Sequence, residues 1–482
     1  MTFPLSTACL ADLVDGRLSD ARYGQEIVTG GCIDSRNVQA HDCFFALPGE
    51  RTHGVLFAEQ AIARGAACVV TDCNGSTVRS SRTDVVQPSL AALDSAEMDG
   101  RIIRVADAAV ALQSLGRWNR KQSDSLVIGV TGSVGKTTTR QMITHVLSSR
   151  FAGIQSLGNY NNELGVPLSL LQLNACHDFA VIELAAARMG EIAFLAEMIR
   201  PEFAVVTRVA PAHLESFGDL HGVCRTKAEL PAAVGAGGTV FLNADDPAVL
   251  AMSHSTTAQV VRFSTSQAAD FRATSIHSRD GLCQFDVDGH HFYLHGGAQL
   301  VTGAVAAIAI GRVAGLNASE IADGLAEFRP DRGRGGIVQT LPWTVIDETY
   351  NASPASVQAA IQWLSEFVSA RRRILVLGDM LELGPRSADY HRDLGRELQD
   401  SRVDHAILFG RYADHVASGA IGAGISPNCI SVFREMSTLL TMLDCVLDPG
   451  DVVLIKGSRS MRMERVVKAI CGSDLSARRS AA

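Results

Sequence analysis

Short apolar runs rich in β-branched residues recur along the chain, separated by segments in which apolar residues return every three or four positions. Runs at 43–47, 68–71 and 102–105 predict strands, and the spacing over 55–64, stopped by Gly65, predicts a helix between them. Residues 105–120 predict a helix leading into the next region. Further runs at 127–130, 180–184, 203–207 and 239–243 predict a second set of strands, and those at 344–346, 374–377, 406–409 and 452–455 a third. Helical periodicity lies between them, and this alternation predicts parallel sheets covered by helices. The fold class expected is therefore α/β in three domains. They are a small α/β N-terminal domain over 1–105, a central parallel-sheet domain over 106–329 and a C-terminal Rossmann-like α/β domain over 330–482.

Two kinds of stretch depart from the alternation. Residues 263–294 alternate and turn instead, and Asp288-Gly289 predicts a hairpin. His290 and His291 are neighbours there, so on a strand they face opposite ways and do not make a metal pair. The polar stretch 80–100, with Pro88, predicts a surface insertion, and 472–482 a fraying tail.

Composition narrows the class. A chain of 482 residues exceeds one core and implies roughly two to four domains. Apolar runs such as 304–310 are far too short to span a bilayer, so the chain is not expected to cross a membrane, and the first ten residues lack the basic start of a signal peptide. A net charge of −8 argues against nucleic-acid binding. Eleven cysteines without a C-x-x-C pair read as free buried thiols in a reducing cytosol.

The strongest chemical signal follows the strand at 127–130. Thr131-Gly132-Ser133-Val134-Gly135-Lys136-Thr137-Thr138 is a glycine-rich turn that opens a helix over 137–147. Glycines let backbone N–H groups turn inward, the helix start adds positive dipole, and Lys136 adds a full charge, so the stretch predicts a phosphate cradle. Thr137 offers a hydroxyl to the Mg²⁺ that travels with ATP. The spacing is a variant one, because Val130 stands where the general G-x-x-x-x-G-K-[ST] pattern has glycine.

Elsewhere the residues alone leave alternatives open. Glu183 ends a predicted strand and suits Mg²⁺, or is a surface acid. His213, with Glu215 beyond the next strand, is a ligand or a loop histidine. Lys227 reads on sequence alone as a solvated helix lysine. Arg334, in Asp331-Arg332-Gly333-Arg334-Gly335, is a phosphoryl clamp or a basic linker. Ser35 and Arg36 offer a hydroxyl and a cation to a phosphate, or form a turn. Asn159, Asn161 and Asn162 offer amides to a polar substrate, or simply shape a loop.

Taken together these segments resemble the Mur ligase family. The phosphate loop carries the family pattern. Gly158-Asn159-Tyr160-Asn161-Asn162-Glu163-Leu164-Gly165-Val166-Pro167, Tyr350-Asn351-Ala352-Ser353-Pro354, Leu377-Gly378-Asp379-Met380-Leu381-Glu382-Leu383-Gly384 and Lys456-Gly457-Ser458-Arg459 with Met463-Glu464 are similar to its dipeptide-adding subgroup, and no D-N-P-R occurs. The resemblance implies a cytoplasmic, monomeric ligase that uses ATP and Mg²⁺ to join D-alanyl-D-alanine to UDP-N-acetylmuramoyl-tripeptide through an acyl phosphate. It implies that Lys136 holds ATP phosphates, that Thr137, Glu183, His213 and Lys227 organise Mg²⁺, with Lys227 as a carbamate, and that Arg334 holds the γ-phosphate. It places Ser35 and Arg36 near the UDP end, and gives Asn159, Asn161, Asn162, Asn351, Lys456, Ser458 and Arg459 to substrate.

The chain departs from the family at Ala187, Arg208, Leu300 and Gly303, where relatives carry asparagine or similar side chains, some of which serve the nucleotide base. Those changes keep two alternatives in play: a Mur-like ligase for another amine, and a nucleotide-binding homologue without ligation.

Overall fold

The computed structural model describes residues 1–2, 4–49, 52–72, 100–211, 217–340 and 342–472. The expected insertion at 80–100, apart from Gly100, the tail beyond Gly472, and His213 and Glu215 all lie outside these residues. The chain forms two compact units. One comprises Met1–Gly129, Phe151–Ala185 and Ala193–Glu202, and the other Val130–Arg150, Ala186–Ile192 and Phe203–Ala482. The division runs through the strand Leu126–Thr131.

In the first unit a five-stranded sheet has the order Arg17–Leu18, Ile102–Arg104, Cys68–Thr71, Asp42–Phe45, Gly30–Cys32. Its pairs are parallel except the Arg17–Leu18 edge. Cys43, Phe45, Cys68, Val70 and Ile103 pack one face against Leu112 and Leu115 of the helix Ala108–Lys121, which starts at Asp107, a cap accepting from the Ala109 and Val110 N–H groups. The same unit pairs Phe179–Glu183 with Gly153–Gln155 in parallel.

In the second unit Phe203–Val206, Thr239–Asn243, Gln259–Ser264 and Phe271–Arg272 follow one another as parallel neighbours. Residues 274–295 form an antiparallel meander whose hairpin turns at Asp288 and Gly289, both at positive φ. The last sheet has the order Gly336–Gln339, Thr344–Glu348, Val452–Lys456, Arg373–Gly378, His405–Phe409, Ile430–Phe433. Five strands run parallel, and Gly336–Gln339, which the sequence pattern does not predict, is an antiparallel edge. Helices cover both faces, with Trp363, Leu375 and Leu408 buried on one side and Ile374, Val376 and Ile407 on the other. The described cysteines are free, but not uniformly buried: Cys43, Cys68 and Cys283 are, whereas Cys9, Cys176 and Cys445 are exposed. Among the described residues no helix is long and apolar enough to cross a membrane.

Two helices of this last lobe approach through glycine. A Cβ on Gly395, in Ser387–Glu397, would lie 2.1 Å from the Val416 carbonyl oxygen of Ala413–Gly422. Backbone cannot yield there as a side chain can, so Gly395→Ala is expected to cost about 1–3 kcal/mol. Denaturant titration checks this, and an unchanged midpoint would contradict the packing.

Candidate functional site

The phosphate loop leaves the strand Leu126–Thr131 and ends at the helix Lys136–Ser148. Gly132 has φ +148°, and a Cβ there would lie 2.0 Å from the Thr207 hydroxyl. Gly135 caps the helix at φ +87°. The loop is tied from outside: the Ser133 N–H donates to the Arg208 carbonyl at 2.6 Å, and the Thr207 hydroxyl donates to the Val134 carbonyl at 2.6 Å. The Lys136 ammonium folds back to donate to the carbonyls of Gly132 (2.8 Å) and Ser133 (3.3 Å). The Ser133 hydroxyl oxygen is buried without a hydrogen-bond partner. Thr137 is buried at the helix start. A turn built on glycines, a lysine laid across it and an unsatisfied hydroxyl suit a phosphate chain.

Lys227 is 4% exposed on the helix Leu220–Ala232, its ammonium 6.0 Å from the Phe217 ring centroid. This corrects the solvated-lysine reading. Val223, Thr226, Lys227 and Leu230 are all buried and recur at helical spacing, so Lys227 sits in the apolar stripe. Gly303 explains one departure from the family pattern. A Cβ there would lie 2.9 Å from the Thr139 hydroxyl and 3.3 Å from the Met142 sulfur, so a larger side chain would wedge the helix Val301–Val313 away from the phosphate-loop helix. Arg208 stands exposed beside the loop its backbone clamps, and Ala187 donates its N–H to Glu191 (2.7 Å).

The junction Asp331–Gly335 links the loop helix to the last sheet. Asp331 accepts from the Gln141 amide and, through its carbonyl, from the Arg334 N–H (3.0 Å). The Arg334 guanidinium lies 3.6 Å from the Tyr350 ring centroid. Beyond the strand Thr344–Glu348, the buried Lys456 ammonium donates to the Glu348 carboxylate (2.8 Å) and the Asn351 carbonyl (3.0 Å). The Ser458 hydroxyl accepts from the Leu381 N–H (2.8 Å), and its own N–H donates to the Asp379 carbonyl (3.0 Å). Arg459 is exposed, 5.8 Å from the Tyr350 ring centroid. Residue types alone did not single out Gln141, Glu348 or Tyr350.

In the first unit Glu183 ends its strand 2% exposed and accepts from the Asn161 amide at 2.9 Å. Asn162 accepts from the Gly165 N–H (2.9 Å) and shapes the turn, while Asn159 is exposed. The Ser35 hydroxyl donates to Gln60 (2.7 Å), and Arg36 forms a two-pronged pair with Asp34, whose carboxyl is held down to about 2 by the Arg36 guanidinium. A cavity of about 360 Å³ opens beside this turn, lined by Gly31, Cys32, Asp34, Asn37, Asp42 and Tyr160. Among the described residues no group of three or more His, Cys, Asp or Glu side chains is placed to hold a metal ion. Nucleotide-bound Mg²⁺ takes most of its ligands from phosphates and water, so a single protein hydroxyl such as that of Thr137 fits it.

One buried imidazole braces the Ser458 loop. His391 Nε2 accepts from the Met380 N–H (3.0 Å), Nδ1 donates to the Ser387 carbonyl (2.6 Å), and the ring stacks on Tyr412 at 4.7 Å. Burial lowers its pKa below the ordinary 6.5, against the opposing pull of the Ser387 carbonyl and Asp379, with His415 adding to the lowering. The neutral ring's stabilisation is therefore complete above pH 6.5 and lost as pH falls below it, because the unfolded chain takes up a proton the native site refuses. Melting temperature should fall more steeply between pH 7.5 and 5.5 in the wild type than in His391→Gln; parallel curves would contradict this.

Comparison with known proteins gives three family matches in order along the chain: "Mur ligase family, catalytic domain" over residues 28–118, "Mur ligase middle domain" over 130–310 and "Mur ligase, glutamate ligase domain" over 333–459. The chain is 34% identical over 471 residues to the UDP-N-acetylmuramoyl-tripeptide–D-alanyl-D-alanine ligase of Escherichia coli, covering 96% of this chain and 97% of that protein. It is 30% identical to the Bacillus subtilis enzyme of the same name, covering 97% and 98%. Among solved structures it resembles MurF from Acinetobacter baumannii (TM-score 0.83, 28% identity, 98% and 99% covered). It also resembles the MurF ligase of Thermotoga maritima in complex with ADP (TM-score 0.77, 26% identity, 94% and 99% covered).

Proposed function

The chain belongs to the Mur ligase family, and we propose that it joins D-alanyl-D-alanine to UDP-N-acetylmuramoyl-tripeptide at the expense of ATP, in peptidoglycan precursor synthesis. The observation that carries this reading is the phosphate cradle of Gly132, Gly135 and Lys136, set in a chain that matches ligases of this reaction almost from end to end.

A carboxylate is a poor acyl donor because its oxygen leaves badly. One oxygen of the tripeptide carboxylate attacks the γ-phosphorus of ATP, the bond to ADP breaks, and an acyl phosphate forms. The amine of the dipeptide attacks the acyl carbon, loses a proton, and phosphate leaves with that oxygen. The protein's work is positioning and charge compensation. The Lys136 ammonium and loop N–H groups hold the phosphates, and Arg334 adds a second cation. Bound Mg²⁺ would neutralise phosphate charge, with Thr137, Glu183, His213 and Lys227 assigned to hold it. Lys227, buried on its helix, is assigned as a carbamate, formed when its amine adds CO₂ and loses a proton.

We assign the uridine end of the substrate to the cavity lined by Asp34 and Asn37, on either side of Ser35 and Arg36 in sequence, with Asn159, Asn161 and Asn162 towards the peptide. The dipeptide goes to Asn351, Lys456, Ser458 and Arg459, where buried Lys456, paired with Glu348, shapes the turn. The segments 1–105, 106–329 and 330–482 then serve muropeptide, ATP and dipeptide respectively. We assign a monomer in the cytoplasm, where ATP is supplied.

Phosphate release from ATP should require both muropeptide and D-alanyl-D-alanine, with a matching mass gain on the muropeptide. Ligand binding without release would instead favour a homologue that has lost ligation. Lys136→Ala should lower turnover by about 10²–10³-fold; wild-type turnover in that variant would overturn the loop's role.

A further inference from the structure

Tyr350 occupies the turn after the strand Thr344–Glu348 and meets two arginines from separate parts of the chain. Arg334 stacks on its ring at 3.6 Å to the centroid, and Arg459 lies 5.8 Å from it. Both distances fall within the reach of cation–π attraction. Among the described residues Arg334 forms no ion pair, and the carboxylate paired with Arg459, Glu464, is 3.9 Å away. The ring therefore supplies the negative surface that lets two like charges share one corner of the molecule. Its own position is fixed by backbone: the Tyr350 N–H donates to the Gly333 carbonyl (2.9 Å) and the Gly335 N–H to the Asp347 carbonyl (2.8 Å). Gly333, at φ +80°, is required for this approach, since a Cβ there would lie 3.2 Å from the Tyr350 Cβ.

We propose that Tyr350 is a positioning residue for the ligation: its ring gathers Arg334 from the junction and Arg459 from the loop after Val452–Lys456, and so sets where Arg334 delivers its charge. The junction is tied by Asp331 to Gln141, five residues along the helix that Lys136 begins. A guanidinium held on Tyr350 is thereby referenced to the phosphate loop and to the dipeptide loop at once. The activity arm of the test rests on the ligase reading above, and the labelling arm does not.

The labelling arm treats wild type and Tyr350→Leu with phenylglyoxal, which reacts with accessible guanidiniums, and maps modified peptides by mass spectrometry. Arg334 should react several-fold faster in Tyr350→Leu, and an equal rate would overturn the proposal. In the activity arm Tyr350→Leu should lower kcat by roughly three- to thirtyfold. Tyr350→Phe, which keeps the ring, should recover most of that loss. The loss should not compound with Arg334→Ala in the double variant. Losses that multiply, or a Phe variant as poor as the Leu variant, would overturn it. If Tyr350→Leu melts early, Arg334→Lys, which keeps the charge and loses the planar stack, should show the same kcat loss, and full activity there would overturn the proposal. A wild type that releases no phosphate would count against the ligase reading, while the labelling arm would still decide the role of Tyr350.

Discussion

The closeness of Gly132 to Thr207 and Arg208 is the constraint on which the active end of the molecule depends. No side chain fits at Gly132, and the Thr207 hydroxyl and Arg208 carbonyl use that space to bind the loop backbone. With the turn closed, the helix after it starts at Lys136, and the lysine folds across the carbonyls of the turn. A looser turn would move the helix start, its dipole and the ammonium together. The glycine turn and the lysine charge are thus one construction, built from backbone held by two neighbouring residues.

The same helix carries the constraint onward. Gln141 holds Asp331, the junction holds Arg334, and Tyr350 receives it. The junction's close approaches again use glycine. Gly335, at φ +96°, lies against the ring of the fully buried Trp363, and a Cβ on Gly297 would lie 2.0 Å from the same ring. A bulky indole pressed on two glycines gives the junction a fixed seat. The pair of buried Lys456 with partly buried Glu348, at the ends of adjacent strands, does the same for the Asn351 turn. Removing Glu348 would leave the buried Lys456 ammonium without its counter-charge.

Much of this was legible in the chain. The β-branched runs marked core strands to within a residue or two, because a strand buried on both faces needs continuous apolar sequence. The phosphate loop was legible because its glycines, lysine and flanking strand are all local. The misses share a cause in tertiary contact. Lys227 looked solvated because lysines usually are, yet its place in the stripe of Val223 and Leu230 was a readable sign of burial. Gly303 looked like a lost amide and is a point of close helix contact. The edge strand Gly336–Gln339 is short and only partly buried, so no apolar run announces it. Tyr350 could not be found from spacing, since its partners lie 16 and 109 positions away by residue number.

In the proposed reaction ATP activates a carboxylate that an amine then captures. The most direct measurement uses muropeptide labelled with ¹⁸O in the tripeptide carboxylate and follows the label into the phosphate released with D-alanyl-D-alanine present. One labelled oxygen is expected in each phosphate, because the oxygen that attacks the γ-phosphorus departs with it. Phosphate free of label, alongside ATP consumption and peptide product, would contradict the acyl-phosphate route and the roles derived from it.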